Sequence, residues 1–181
     1  SVATEAILSR PQPLFDLVAI ISLDNLFTIP DFRINETIFR LVAELKERAK
    51  KKFILQTRLG ANKLIQDAAS GNITGFYQDE LESRRNLGYP PFVTLIKLSS
   101  ENRNLILLKK EEEKALLVLG NYNPISFPAF REKIKGQYRW NILLKIADDP
   151  PIGGWPDDKL RILLENLSPM WQVSVDPESI I

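Results

Sequence analysis

The spacing of apolar and polar positions changes character once along this chain, at Gly88-Tyr89-Pro90-Pro91. Upstream, Leu17-Val18-Ala19-Ile20-Ile21-Ser22-Leu23 is a continuous apolar run ending at Asp24. Such a run predicts a strand buried on both faces of a parallel sheet. Ile38, Leu41, Val42 and Leu45 then recur at helical spacing. Asn35 reads as the cap of this helix, which runs out in Lys50-Lys51-Lys52, where cations suit the macrodipole. Phe53-Ile54-Leu55-Gln56-Thr57 follows as a short buried strand. Strand, helix, strand implies a right-handed parallel crossover, so residues 1–58 read as the tail end of an α/β sheet. Two helices, 61–70 and 75–87 with Gly71 between them, form a connector over 59–90.

The connector ends in punctuation. Arg84-Arg85-Asn86-Leu87-Gly88 places a glycine where a helix C-terminal cap belongs. Pro90 and Pro91 forbid helix on their N-terminal side and feed the apolar run Phe92 to Leu98. From there the pattern predicts strand Phe92–Leu98, helix Asn104–Leu116, strand Leu117–Tyr122, strand Tyr138–Ile146, helix Asp157–Leu167 and strand Trp171–Val175. Pro156, with Asp157 and Asp158 beside it, marks the second helix start. The order β-α-β-β-α-β over 91–181 is the split βαβ, or ferredoxin-like, arrangement. The fold class is therefore α/β followed by α+β. The ferredoxin-like architecture hosts many functions and assigns none by itself.

Composition narrows the chemistry. The chain has no Cys and no His. That removes disulfides, thiolate nucleophiles, sulfur-ligated zinc, the commonest general base and the serine-type triad. The usage fits a reducing, cytoplasmic compartment. No stretch of 18 uninterrupted apolar residues exists, and no secretory signal pattern opens the chain. It begins at Ser1 within a strand-like run and reads as a piece of something longer. A net charge of +1 says nothing as a sum, so nucleic-acid affinity has to come from local distribution.

The interval 127–145 has such a distribution. Arg131, Lys133, Lys135, Arg139 and Lys145 stand against the single acid Glu132, interleaved with Phe127, Phe130, Tyr138 and Trp140. Cations that track phosphates beside aromatics that stack on bases characterise single-strand binding surfaces. Strand alternation also fits a simpler arrangement, with Tyr138, Trp140, Ile142 and Leu144 on one inward face. Lys46, Arg48, Lys50, Lys51 and Lys52, interrupted by Glu44 and Glu47, read as a solvated helix face. Arg84 and Arg85 read as capping residues or as a phosphate or interdomain contact. Asp148-Asp149 and Asp157-Asp158 suit loops and helix starts better than a metal, and none is assigned. Without a glycine-rich phosphate loop and its lysine, the chain has no nucleotide site or cofactor of its own.

Ile29-Pro30-Asp31-Phe32-Arg33-Ile34-Asn35-Glu36, Leu87-Gly88-Tyr89-Pro90-Pro91-Phe92, Gly136-Gln137-Tyr138-Arg139-Trp140 and Val175-Asp176-Pro177 together resemble the C-terminal part of the primosomal protein N-prime family of PriA-type replication-restart helicases. The resemblance spans residues 15–181 and is strongest in the second half. It implies that 1–58 is the remnant of a RecA-like second helicase lobe. It also implies that the family's arginine-finger motif, Gln-Val-Ala-Gly-Arg-Ala-Gly-Arg, falls on residues 44–51. There only Arg48 and Ala49 match, both glycines are replaced, and Lys51 stands for the last arginine. Lysine cannot present the planar fork that arginine offers a transferring phosphate. Ala3-Thr4-Glu5-Ala6 and Ser9-Arg10-Pro11 stand where the family has Gly-Thr-Gln-Met and Lys-Gly, and the family's zinc-binding cysteines are missing.

The resemblance further implies a C-terminal domain that contacts single-stranded or branched DNA and forms a pocket for the acidic tail of single-stranded DNA-binding protein. Gln137 and Asn141 occupy pocket positions where the family has arginine and glutamine. The expected function is a noncatalytic C-terminal part of a helicase-like primosome protein. DNA would be contacted through Arg131, Lys133, Lys135, Tyr138, Arg139 and Lys145, with Arg84 and Arg85. Two alternatives stand beside it: an interaction scaffold without DNA binding, and a fragment of an active ATP-dependent helicase. Scaffolding predicts dispersed cations, whereas DNA binding requires them on one face.

Overall fold

A computed structural model describes residues 14–147 and 157–181. Ala3-Thr4-Glu5-Ala6, Ser9-Arg10-Pro11, Asp148-Asp149 and Pro156 lie outside the described residues. The chain divides into two compact units between Glu82 and Ser83.

In the first unit, strand β1 (Phe15–Ile20) pairs in parallel with β2 (Ala49–Leu55), and helix α1 (Ile34–Glu47) connects them. Helices α2 (Lys63–Ser70) and α3 (Ile73–Leu87) follow. One sheet face carries Ile20, Phe53 and Leu55 into a core with Ile38, Phe39, Leu41 and Val42 of α1. α2, placed by sequence in a connector, contributes Ile65 and Ala68 to this core, and Phe76 stacks on Phe39 with centroids 4.4 Å apart. The opposite face is open: Leu17 is 53% exposed and Ile54 39%. The expectation of strands buried on both faces is thus corrected, because among the described residues this unit is a single βαβ with its helices packed on one side.

Two boundaries also move. Asn35 is not the cap of α1. The helix begins at Ile34, after an Asx turn in which Asp31 Oδ1 accepts from the Arg33 N–H at 2.9 Å. Asn35 instead donates to Glu80 at 3.1 Å. Nor does α1 run into the lysines, since it ends at Glu47 and Lys50, Lys51 and Lys52 belong to β2. The pairing Lys52–Leu17 and Phe53–Val18 holds them in the sheet.

The second unit carries β3 (Val93–Asn102), α4 (Leu105–Val118), β4 (Ile125–Ile134), β5 (Gln137–Ala147), α5 (Asp158–Glu165) and β6 (Gln172–Val175). The strands form one antiparallel sheet in the order β4-β5-β3-β6. This is the strand order of a split βαβ. Ile96, Leu98, Ile142 and Leu144 fill the core against Ala115 of α4 and Leu119 at its C-cap, Leu160 and Leu164 of α5, and Trp171. α4 starts as expected, with Asn104 Oδ1 accepting from Ile106 and Leu107 N–H groups.

The predicted strand at Leu117–Tyr122 is wrong. Leu117 and Val118 finish α4, Gly120–Tyr122 is a 3-10 turn, and the strand lies further on, at Ile125–Ile134. The apolar run at 116–119 extends a helix whose end buries Leu119 completely and leaves Leu117 83% exposed. Pro128 disguised the true strand, since proline is excluded from central strands. β4 is an edge strand, and its register breaks just after Pro128. Among the described residues, no helix is long and apolar enough to cross a membrane.

Leu119→Ala should therefore cost about 2–5 kcal/mol in urea unfolding, whereas Leu117→Ala should change stability by no more than about 0.5 kcal/mol. A surface strand at 117–122 would not separate the two so sharply. A second expectation concerns α5. Asp157 caps it by accepting from the Lys159 N–H at 2.7 Å, and also accepts from the Tyr122 hydroxyl. The Tyr122 bond, then the backbone N–H, hold this carboxyl below the ordinary carboxylate range. A depressed folded value means that the contribution is present above the unfolded value, about pH 4, and is lost as pH falls below it. The melting-temperature difference between wild type and Asp157→Ala should be largest near neutrality and shrink on acidification through that window.

Candidate nucleic-acid interface

β4 and β5 form a hairpin in which Ile134 pairs with Gln137, leaving Lys135 and Gly136 as a two-residue turn. Both have positive φ, 50° and 82°. That is the signature of a type I′ turn, whose twist matches the flanking strands. Gly136 adopts it freely, whereas Lys135 is a bulky residue in a region that side chains disfavour. The turn thrusts Lys135 into solvent beside Lys133 and Arg131, and all three are exposed. Between Pro128–Trp140 and Lys133–Tyr138 the pairing shifts, so several β4 residues bulge against a single intervening residue, Arg139. Phe130, named in the sequence only as an interleaved aromatic, sits in this bulge and is 57% exposed. Its exposure follows from the bulge, which has no signature in the sequence pattern.

Trp140 and Tyr138 of the hairpin are engaged, and Phe127 is half-buried. Trp140 Nε1 donates to Glu112 Oε1 at 2.9 Å and to Ser126 Oγ at 2.7 Å, and Lys109 Nζ lies 3.2 Å from its ring centroid. Glu112 is buried and bonded to Ser126 and Lys109. Trp140 thus belongs to the packing between α4 and the sheet. Tyr138 lies under Lys133, whose Nζ is 4.4 Å from the ring centroid and 3.2 Å from the hydroxyl.

The cations do not share one face. Tyr138 alternates with Arg139, which pairs across the sheet with Glu101 on the opposite face, at 3.9 Å between exposed side chains. Lys145 lies seven residues along β5 from Tyr138, about 24 Å at strand rise. There its Nζ donates to the Leu87 carbonyl at 2.8 Å and sits 3.8 Å from the Tyr89 ring centroid. Desolvation in this position lowers the Lys145 pKa. The partners belong to the end of α3, where the Tyr89 N–H bonds to the Arg84 carbonyl at 2.8 Å and the Gly88 N–H to that of Arg85. With Gly88 at φ 61°, this is a Schellman cap, and Lys145 adds a cation at the negative end of the helix. Arg84 Nη1 donates to the Pro90 carbonyl at 3.3 Å, and the Arg85 guanidinium lies over Phe92 at 4.7 Å. The expected site residues thus fall into two places: Arg131, Lys133, Lys135, Tyr138 and Arg139 near the hairpin tip, and Lys145, Arg84 and Arg85 at the helix cap.

Of the pocket positions, Asn141 is buried, with Oδ1 accepting from Ser99 at 3.0 Å, and Gln137 is half-buried at the hairpin end. The finger-motif residues are separated by secondary structure. Arg48 is the C-cap of α1, and its carbonyl accepts from Phe15 N–H at 2.9 Å, whereas Lys51 projects from β2 to Asp16 at 3.1 Å.

Residues 85–178 match the family described as Primosomal protein N C-terminal domain. The chain is 33% identical over 165 residues to the replication restart protein PriA of Thermotoga maritima, covering 86% of the chain and 22% of that protein. It is 27% identical over 181 residues to the PriA of Chlamydia pneumoniae, covering 89% and 23% respectively. With the PriA of Treponema pallidum the identity is 29% over 151 residues, covering 77% and 23%. The chain spans less than a quarter of the length of these relatives. The motifs at Gly88–Phe92 and Gly136–Trp140, the strand order that arranges them, and these likenesses converge: the chain belongs to the primosomal protein N family of PriA-type proteins, through the family's C-terminal domain.

Proposed function

We propose that this chain serves replication restart by contacting single-stranded or forked DNA through the tip of the β4–β5 hairpin, and that it carries no motor chemistry of its own. Arg131, Lys133 and Lys135 follow the phosphates, and Arg139 approaches from the other face. One observation supports this most: the two-residue turn and the adjacent bulge gather Arg131, Lys133 and Lys135, all exposed, around the single acid Glu132 near one hairpin end, whereas the division of the wider cation set between two faces is what the scaffold alternative predicts. Lys145, Arg84 and Arg85 drop out of the phosphate-tracking role, because each is engaged at the α3 cap. Their spacing favours a compact DNA contact of a few phosphates over an extended groove. Cytoplasmic primosome proteins, and the acidic tail of single-stranded DNA-binding protein, are the partners the family membership suggests. The burial of Asn141 argues that any such tail would meet Gln137 and Arg139 first.

Single-stranded binding followed by fluorescence anisotropy should show a log-log salt slope of about −2 to −3, corresponding to three or four contacts at about −0.7 each. Changing Arg131, Lys133 and Lys135 together to glutamine should flatten the slope. Lys145→Gln should leave it unchanged while lowering the melting temperature. A slope governed by Lys50, Lys51 and Lys52, or no binding at low salt, would favour the scaffold function. The chain should also release no phosphate from ATP, since Arg48 and Lys51 are parted by the end of α1.

A further inference from the structure

The geometry points to Phe130 as a base-stacking platform for single-stranded DNA, an assignment that rests on the hairpin reading above. A bulge re-aims side chains and interrupts strand pairing. Here it falls between Pro128 and Lys133 of an edge strand, and Phe130 emerges from it 57% exposed. An isolated exposed phenylalanine would need no explanation. This one is followed immediately by Arg131, and Lys133 and Lys135 lie within five residues, all exposed. The hairpin's other aromatics are less available: the Trp140 indole is tied to Glu112 and Ser126 and covered by Lys109, Phe127 is half-buried, and one ring face of Tyr138 is occupied by Lys133. A strand whose phosphates follow the tip cations brings its bases to the most exposed ring of the hairpin, Phe130. Such a platform accepts any base and rejects duplex, whose bases are already stacked.

A fluorescein-labelled oligo(dT) and an abasic strand of equal length present the same phosphates and differ only in bases. Wild-type chain should bind oligo(dT) more tightly than the abasic strand by about 5- to 100-fold at low salt. Phe130→Ala should bring that ratio to about one without altering the salt slope, and Phe130→Leu, which keeps apolar bulk, should also lose most of it. Melting temperatures for the two variants should match wild type, since the ring is largely outside the core. If Phe130→Ala keeps the ratio while the Arg131, Lys133 and Lys135 glutamine variant loses affinity, the hairpin contacts DNA and the stacking assignment falls alone. If Tyr138→Ala abolishes the ratio instead, the platform is assigned to the wrong ring. If the wild type binds neither strand, both the stacking assignment and the hairpin reading fall.

Discussion

The register between β3 and β5 is the constraint on which the second unit depends. From Val93–Ala147 to Asn102–Tyr138 the two strands pair without a break. Ile96 faces Leu144 and Leu98 faces Ile142, all fully buried against the helices. Because side chains alternate with period two, slipping this pairing by one residue would drive Leu144 and Ile142 out and pull Arg139 and Lys145 in. The same register therefore decides the chemistry. Arg139 must lie on the opposite face from Tyr138, and Lys145 must stand far from the hairpin tip. A row of cations that looks continuous in sequence is divided by the pleat.

The hairpin is held to the helical layer by a small polar lock. Glu112 of α4 is buried and receives Trp140 Nε1 and Ser126 Oγ, while Lys109 balances its charge at 2.7 Å and covers the indole. Buried charges persist where they are paired and hydrogen-bonded, and this one meets both conditions. The lock grips both hairpin strands at their base, Ser126 on β4 and Trp140 on β5. Beyond it, β4 departs from register, so the bulge and turn begin where the anchoring stops.

Features governed by local chemistry were legible in the sequence. Asn104 caps α4, Gly71 and Gly88 end their helices, and the βαββαβ order appears as the patterning implies. Features governed by position within the fold were not. β4 escaped notice because an edge strand tolerates Pro128 and a polar, bulged second half. α1 was read as too long because three lysines suit a helix end as well as an exposed strand. Lys145 resembles a phosphate contact in sequence, but its distance from the tip and its bond to the Leu87 carbonyl place it at the helix cap. The candidate interface is thus half legible: the sequence shows a cationic, aromatic interval, but which of its cations and aromatics are exposed depends on pairing across the sheet.

The lysines of β2 acquire a different meaning from the sheet that carries them. Among the described residues β1 and β2 pair only with each other, so each has an outer edge of unpaired backbone groups, next to a face exposing Leu17 and Ile54. Such an edge is a template for strand addition by another molecule, and lysine is a common means of blunting it. Lys50 and Lys52 give an identical incoming strand like charge to overcome before it can pair, while Lys51 is balanced by Asp16. Strands this short and this cationic along one edge are poor templates for pairing with a second copy of themselves.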